Sequence, residues 1–264
     1  MDTCEIYINR KSLGSDLYCA VKTGLKCSEK INSAKSLSDY LLAITSPFKI
    51  MLYVSDDDSV NTDADDLISA IREASVTNNY IDVKLVKDEF VNIIDDKDRL
   101  TSFAEPRSVA HKTGHRHPTV HIWIVRKIDM EIYILLQKRS HNKAQHPDCF
   151  DVSSAGHVSA GDEYRTSALR ELSEELGLYA EPKQLEFIGM RKSDYSDNDV
   201  HDNELSAVYI YRQPIETEKL KLQTEEVSQV SWIDIDECLT LIKNPKFKHC
   251  LYKDELLMIK KAVR

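Results

Sequence analysis

Glycine and proline are scarce, seven of each in 264 residues, which excludes long flexible linkers and low-complexity tracts. The six cysteines (Cys4, Cys19, Cys27, Cys149, Cys238 and Cys250) include no CxxC pair, so neither a zinc site nor a dithiol redox pair is expected. No run of 18 apolar residues occurs, and no membrane span is expected. The start of the chain does not read as a secretory signal. Arg10 and Lys11 follow a mixed segment with no long apolar stretch and no small-residue cleavage site. Positive charge is also short: 35 Lys and Arg against 44 Asp and Glu leave a net charge of −9. That balance argues against a nucleic-acid coat or a membrane-surface protein. A phosphorylated substrate must then find local positive charge or bring a metal ion. A reducing cytoplasm with unbridged thiols is the simplest setting.

What is present is enough apolar residue, 42%, to bury a core in one large domain or two small ones. No internal repeat stands out. Residues 1–87 read as a small α/β accessory domain of unknown role. Ser36 to Ile44 carries Leu37, Tyr40, Leu41 and Ile44 at helical spacing. Phe48 to Val54 reads as a strand and Asp56 to Asp58 as an acidic turn. Asp63 can cap a helix running to Ala74, with Leu67, Ile68 and Ile71 inward. Tyr80 to Val86 alternates like a strand. Residues 88–264 form the second domain. Phe90 to Ile94 reads as a strand, followed by a polar turn. Thr119 to Val125, Ile132 to Gln137, Leu185 to Gly189, Leu205 to Tyr211 and Val227 to Ile233 read as further strands. Asp236 to Ile242 and Asp254 to Val263 read as helices. The class is α/β (α+β), a mixed sheet flanked by helices.

The chemistry concentrates in Gly156 to Leu178. Asp162 or Thr166 can start a helix there, and Gly177 suits a left-handed C-terminal cap. At 100° per residue Glu171, Glu174 and Glu175 share one face, while Ala168, Leu169, Leu172 and Leu176 share another that can be buried. Three neighbouring carboxylates repel each other by a few tenths of a kcal/mol per pair. A solvated acidic face is a common arrangement, but a hard divalent cation would also remove the repulsion.

The surrounding spacing resembles the Nudix box: Gly, five residues, Glu, seven residues, then Arg-Glu-apolar-any-Glu-Glu-any-Gly-apolar. Gly156, Arg170, Glu171, Leu172, Glu174, Glu175, Gly177 and Leu178 match it. Asp162 stands where the box has Glu, with Glu163 beside it as a substitute, and this puts the loop geometry rather than metal binding in question. The resemblance implies a Nudix fold and a loop-helix-loop in which Glu171, Glu174 and Glu175 bind Mg²⁺ or Mn²⁺. Glu175 and Glu171 would be the principal ligands, and Glu174 a ligand or the base that orients water. Arg170, counted with Glu174 and Glu175 in the catalytic set, would hold the helix against the loop.

The resemblance extends over about Glu89 to Val263. Leu136 to Arg139 and Lys143, then Pro147, Phe150 to His157, His111 to Gly114, His117, His121 and Trp123 look like one Nudix branch. That branch holds isopentenyl-diphosphate isomerases and their hydrolase relatives. It implies that Arg139 and Lys143 grip a diphosphate, with Gly156 lining the substrate site. His111, His117 and His157 fall near the isomerase metal histidines, and Asp202 and Glu204 near its metal acids. Glu204 equally fits an auxiliary metal-binding acid of the hydrolases. His141 and His146 read as surface residues or as contacts to a base or sugar. The departure is Ala155, two residues before His157, where the isomerases carry their catalytic cysteine.

The expected reaction is therefore attack of metal-activated water on a diphosphate linkage of a nucleoside diphosphate joined to another moiety. An isomerase lacking its usual cysteine and an inactive Nudix-fold ligand sensor are the alternatives. The expected partner is a small-molecule diphosphate, with a homodimer left open and neither nucleic acid nor membrane expected.

Overall fold

The structure is a computed structural model that describes residues 2–8, 38–39, 41–55, 62–143, 145–197 and 200–264. Two compact units emerge. One comprises Met1–His117, Ser159–Gly161 and Tyr195–Asn203; the other comprises Pro118–Val158, Asp162–Asp194 and Glu204–Arg264. The boundary expected after residue 87 falls inside the first of these.

In the first unit, β1 (Asp2–Ile8), β2 (Phe48–Ser55) and, after helix α1 (Thr62–Thr77), β3 (Ile81–Asp88) form a parallel sheet in the order β1-β2-β3. Alternation turns Phe48, Ile50, Leu52 and Val54 to one face, where they meet Ala64, Leu67, Ile68, Ile71 and Ala74 of α1. The helix runs one turn beyond the expected end at Ala74, to Thr77. Tyr80 is an exposed turn residue before β3, not its first residue. Residues 38–39 and 41–42 are helical, and Leu41 is buried. Leu37, Tyr40 and the expected Asp56 to Asp58 turn lie outside the described residues, as do Arg10, Lys11, Cys19 and Cys27.

A hairpin follows, β4 (Phe90–Ile94) against β5 (Leu100–Pro106). Its turn is stabilised by the Asp95 carboxylate, which accepts from the Lys97 and Arg99 amides at 2.9 and 3.0 Å. Helix α2 (Arg107–Thr113) ends at Gly114, whose φ of 73° closes it in the left-handed region.

Strands β6 (His117–Ile128) and β7 (Glu131–Arg139) are joined by a tight turn with Asp129 at φ 53°. The short β8 (Phe150–Asp151) pairs with β7, and β9 (Ser154–His157) with β6. After α3 (Tyr164–Leu176) come β10 (Leu185–Asp197), β11 (Val200–Tyr211), β12 (Val227–Asp234), α4 (Ile235–Leu241) and α5 (Lys253–Val263). The strand order is β10-β11-β6-β7-β12. The pleat of β6 sends Val120, Ile122 and Ile124 to a core shared with Ala168, Leu172 and Leu176 of α3. Trp123 and Val125 go to the opposite core, shared with Ile235 and Cys238 of α4 and Leu256, Ile259 and Val263 of α5. The sheet is thus layered between helices, the α/β class expected from the sequence. Among the described residues no helix is long and apolar enough to cross a membrane.

Candidate functional site

Helix α3 is anchored by its apolar stripe, and this fixes where its acids point. Ala168, Leu172 and Leu176 are fully buried, and Gly177 (φ 63°) closes the C-terminus by donating to the Leu172 and Ser173 carbonyls. The N-terminal flank differs from expectation. Neither Asp162 nor Thr166 occupies the N-cap. Glu163 does, in extended backbone and without a side-chain capping bond.

The three glutamates separate by burial. Glu171 and Glu175 are buried, whereas the Glu174 side chain is 49% exposed. Glu175 accepts from the Ala155 amide at 3.2 Å. Burial, with the neighbouring Glu171 and Asp151 charges, outweighs the polar contacts of the carboxylate and pushes its carboxyl up to about 8. Gly156 lies against Glu171, and a β-carbon there would collide with the Glu171 carboxylate. Only glycine allows that approach. Arg170 gathers the set: it pairs with Glu171 at 2.7 Å and Glu174 at 2.8 Å and donates to the His157 carbonyl at 3.1 Å. The helix is thereby tied to β9.

The other candidates are placed as follows. His157 Nε2 lies 3.9 Å from Glu204, which also faces the Ser193 hydroxyl at 3.5 Å. Arg139 is bonded to Asp151 at 3.2 Å and, through Nη2, to the Gln145 carbonyl at 3.1 Å. Lys143 pairs with Glu226. His141 is exposed and pairs with Asp148 at 2.8 Å. In the first unit, His111 lies 3.3 Å from Asp202, and its ring is 4.9 Å from that of His117. Burial lowers both rings to about 4, so at neutral pH both are uncharged.

Sequence reading missed a buried polar network under the sheet. Glu255 of α5 takes the His121 imidazole at 2.9 Å and the Trp123 indole N–H at 2.6 Å. Arg191 of β10 lies 3.6 Å from the same carboxylate and 3.4 Å over the Tyr252 ring. Burial alone would discharge His121, but the Glu255 carboxylate prevails and holds it at about 9, while His121 holds Glu255 below the usual range. The one available signal was a charged residue on the apolar stripe Glu255, Leu256, Ile259, Val263 of α5.

The helix, its arginine and the glycine approach meet a matching family model: the NUDIX domain, over residues 115–254. The chain belongs to the Nudix family. A Nudix hydrolase of Clostridium acetobutylicum is 36% identical over 159 residues, which is 60% of this chain and 76% of that protein. Nudix hydrolase 3 of Arabidopsis thaliana is 36% identical over 154 residues, 57% of this chain but only 20% of that protein. Among solved structures, DR0079 from Deinococcus radiodurans gives a TM-score of 0.49 at 19% identity, covering 67% of this chain and all of that one. The residues that resemble the Nudix box run from Gly156 in β9 through α3 to Leu178.

Proposed function

We propose that this Nudix protein is a metal-dependent hydrolase that cleaves the diphosphate linkage of a nucleoside diphosphate joined to another moiety. The observation that carries this reading is the pair of buried carboxylates, Glu171 and Glu175, with Glu175 pushed up to about 8. Two carboxylates packed this closely carry more negative charge than the single Arg170 guanidinium offsets, and their oxygens suit Mg²⁺ or Mn²⁺. When bound, the cation supplies charge neutralisation for the diphosphate and makes water more acidic.

The residues then divide the work. Glu171 and Glu175 hold the ion, and Glu204 serves as a further carboxylate. Exposed Glu174 accepts the proton from the attacking water as the P–O bond to the leaving phosphate breaks. Two phosphorylated fragments result. Arg170 keeps the helix against the glycine loop. Arg139 and Lys143 exchange their present carboxylate partners, Asp151 and Glu226, for the more highly charged diphosphate. Ala155 disfavours isomerisation: its methyl offers no proton where the isomerases have a thiol, and its amide is committed to Glu175. The branch assignment, residues 1–87 as an accessory domain and a cytoplasmic setting belong to the same proposal.

The test is release of phosphorylated fragments with Mg²⁺ from ADP-ribose, NADH, dinucleoside polyphosphates, nucleoside triphosphates, thiamine diphosphate and isopentenyl diphosphate. Cleavage that stops with EDTA and in Glu175→Gln is expected. Activity persisting under both conditions overturns the reading. Allylic product from isopentenyl diphosphate would favour the isomerase instead. A protein inactive on all of them yet stabilised by one would favour the sensor.

A further inference from the structure

The loop between β7 and β8, with Cys250 of the segment before α5, carries a second set of donor atoms apart from the box glutamates. One imidazole nitrogen of His146 and the sulfurs of Cys149 and Cys250 all lie within 4.8 Å of one another. All three residues are half-buried, and both cysteines are thiols.

The backbone holds the two sulfurs in place. The Phe150 amide donates to the Lys248 carbonyl at 2.9 Å, and the Cys250 amide to the Phe150 carbonyl at 2.8 Å. The Phe150 and Phe247 rings stack beside them, 5.2 Å apart. The Cys149 carbonyl accepts from the Arg139 amide at 2.9 Å. His146 is presented by an unusual backbone. Both His146 (φ 49°) and Asp148 (φ 61°) adopt left-handed conformations, which cost a non-glycine residue about 1–2 kcal/mol each.

We propose that His146, Cys149 and Cys250 form a binding site for Zn²⁺, with water as the fourth ligand. Two sulfurs and one imidazole nitrogen are the donors zinc favours, whereas Mg²⁺ and Mn²⁺ favour the carboxylates of α3. The two sites would therefore sort their ions by ligand chemistry. Tetrahedral zinc with bonds of about 2.0–2.3 Å needs donors roughly 3.4–3.8 Å apart, so a small contraction completes the triad. Binding releases the two thiol protons, and the thiolate charges neutralise the ion. The ion would pin the 145–149 loop, whose Gln145 carbonyl holds the Arg139 guanidinium, to the 248–250 segment. No zinc site was expected from the sequence, for want of a CxxC pair. The two sulfurs are contributed by segments about a hundred residues apart, which no local spacing reveals.

The test titrates reduced, metal-free protein with Co²⁺ and then displaces it with Zn²⁺. One Co²⁺ per chain should give the near-ultraviolet thiolate-to-cobalt band and the visible bands of a tetrahedral site, while Co²⁺ on the α3 carboxylates gives no thiolate band. Those bands should survive Glu171→Gln with Glu175→Gln and vanish in Cys149→Ser with Cys250→Ser. His146→Ala, which leaves both sulfurs in place, should weaken Zn²⁺ binding by about tenfold or more, since losing even an outer partner of a ligand costs that much. Zinc binding should release two protons. Absence of the bands from the unaltered chain overturns the site, as does their persistence in the double serine variant. So does a Cys149–Cys250 disulfide in protein that binds no zinc.

Discussion

At Gly156 the β9 backbone passes so close to the Glu171 carboxylate that there is no room for a β-carbon. Its role is proximity, not turn geometry, and this yields a separable prediction. Gly156→Ala should displace Glu171, weaken Mg²⁺ binding and destabilise the chain by about 1–3 kcal/mol, the usual cost of overpacking. Mg²⁺ titration and denaturant unfolding on the same variant read both effects; unchanged metal affinity would refute the packing argument. Glu175→Gln behaves oppositely. An amide keeps the shape and removes a buried group that prefers a proton in the metal-free fold, so the metal-free variant should unfold no earlier than the unaltered chain. Its turnover should nonetheless fall on the order of a hundredfold or more. Loss of stability and activity together would mean that Glu175 is structural.

At the scale of the element, β6 has two sides with different roles. Val120, Ile122 and Ile124 join the core beneath α3, whereas His121 and Trp123 reach Glu255 of α5. The buried His121–Glu255 pair gives a pH signature. His121 is raised from 6.5 to about 9, so its contribution to stability is complete below about 6.5 and is lost as pH rises through 9. Glu255 is lowered, so its contribution is present above the usual carboxylate value and is lost as pH falls through its depressed one. Stability from the pair should therefore peak between those limits. Nuclear magnetic resonance should find His121 still charged at pH 8, while His111 and His117 are already neutral at pH 6. Glu255→Gln should cost about 3–5 kcal/mol by stranding a buried cation; a near-neutral effect would show that the pair contributes little. These partners are 134 residues apart, and nothing in the β6 sequence names Glu255. The acidic helix, by contrast, was legible because its acids, its apolar stripe and Gly177 lie within one local 3.6-residue period. Its N-terminus was less legible, since Glu163 caps it by backbone conformation alone. The far half of β10 was also missed: its buried Arg191 and Ser193 are held by polar partners, which an apolar-alternation reading does not see.

For the whole molecule, the two units have separate cores. Ile50, Leu52 and Ile71 belong to one and Trp123, Ile134 and Leu256 to another. The box glutamates all lie in the second unit. Mg²⁺ at the proposed box site would therefore be linked to the folding of that unit rather than uniformly to the chain. Without metal, Glu175 is raised from 4.5 to about 8. Its contribution to stability is complete below about 4.5 and is lost as pH rises through 8, so the metal-free second unit should weaken across that window. Mg²⁺ at the proposed site would reverse the preference by favouring the carboxylate. At about a hundred times its dissociation constant it should add about 2.7 kcal/mol, a rise of roughly 5–10 °C in the midpoint of a unit of this size. Calorimetry between pH 5 and 8.5 should show one transition rising with Mg²⁺ and losing its Glu175-dependent slope, while a second transition stays put. The loss above pH 8 that belongs to His121 should persist with Mg²⁺ present, which tells the two titrations apart. A single transition, shifted as a whole by Mg²⁺, would mean that the two cores unfold together and that the box ion stabilises the entire chain.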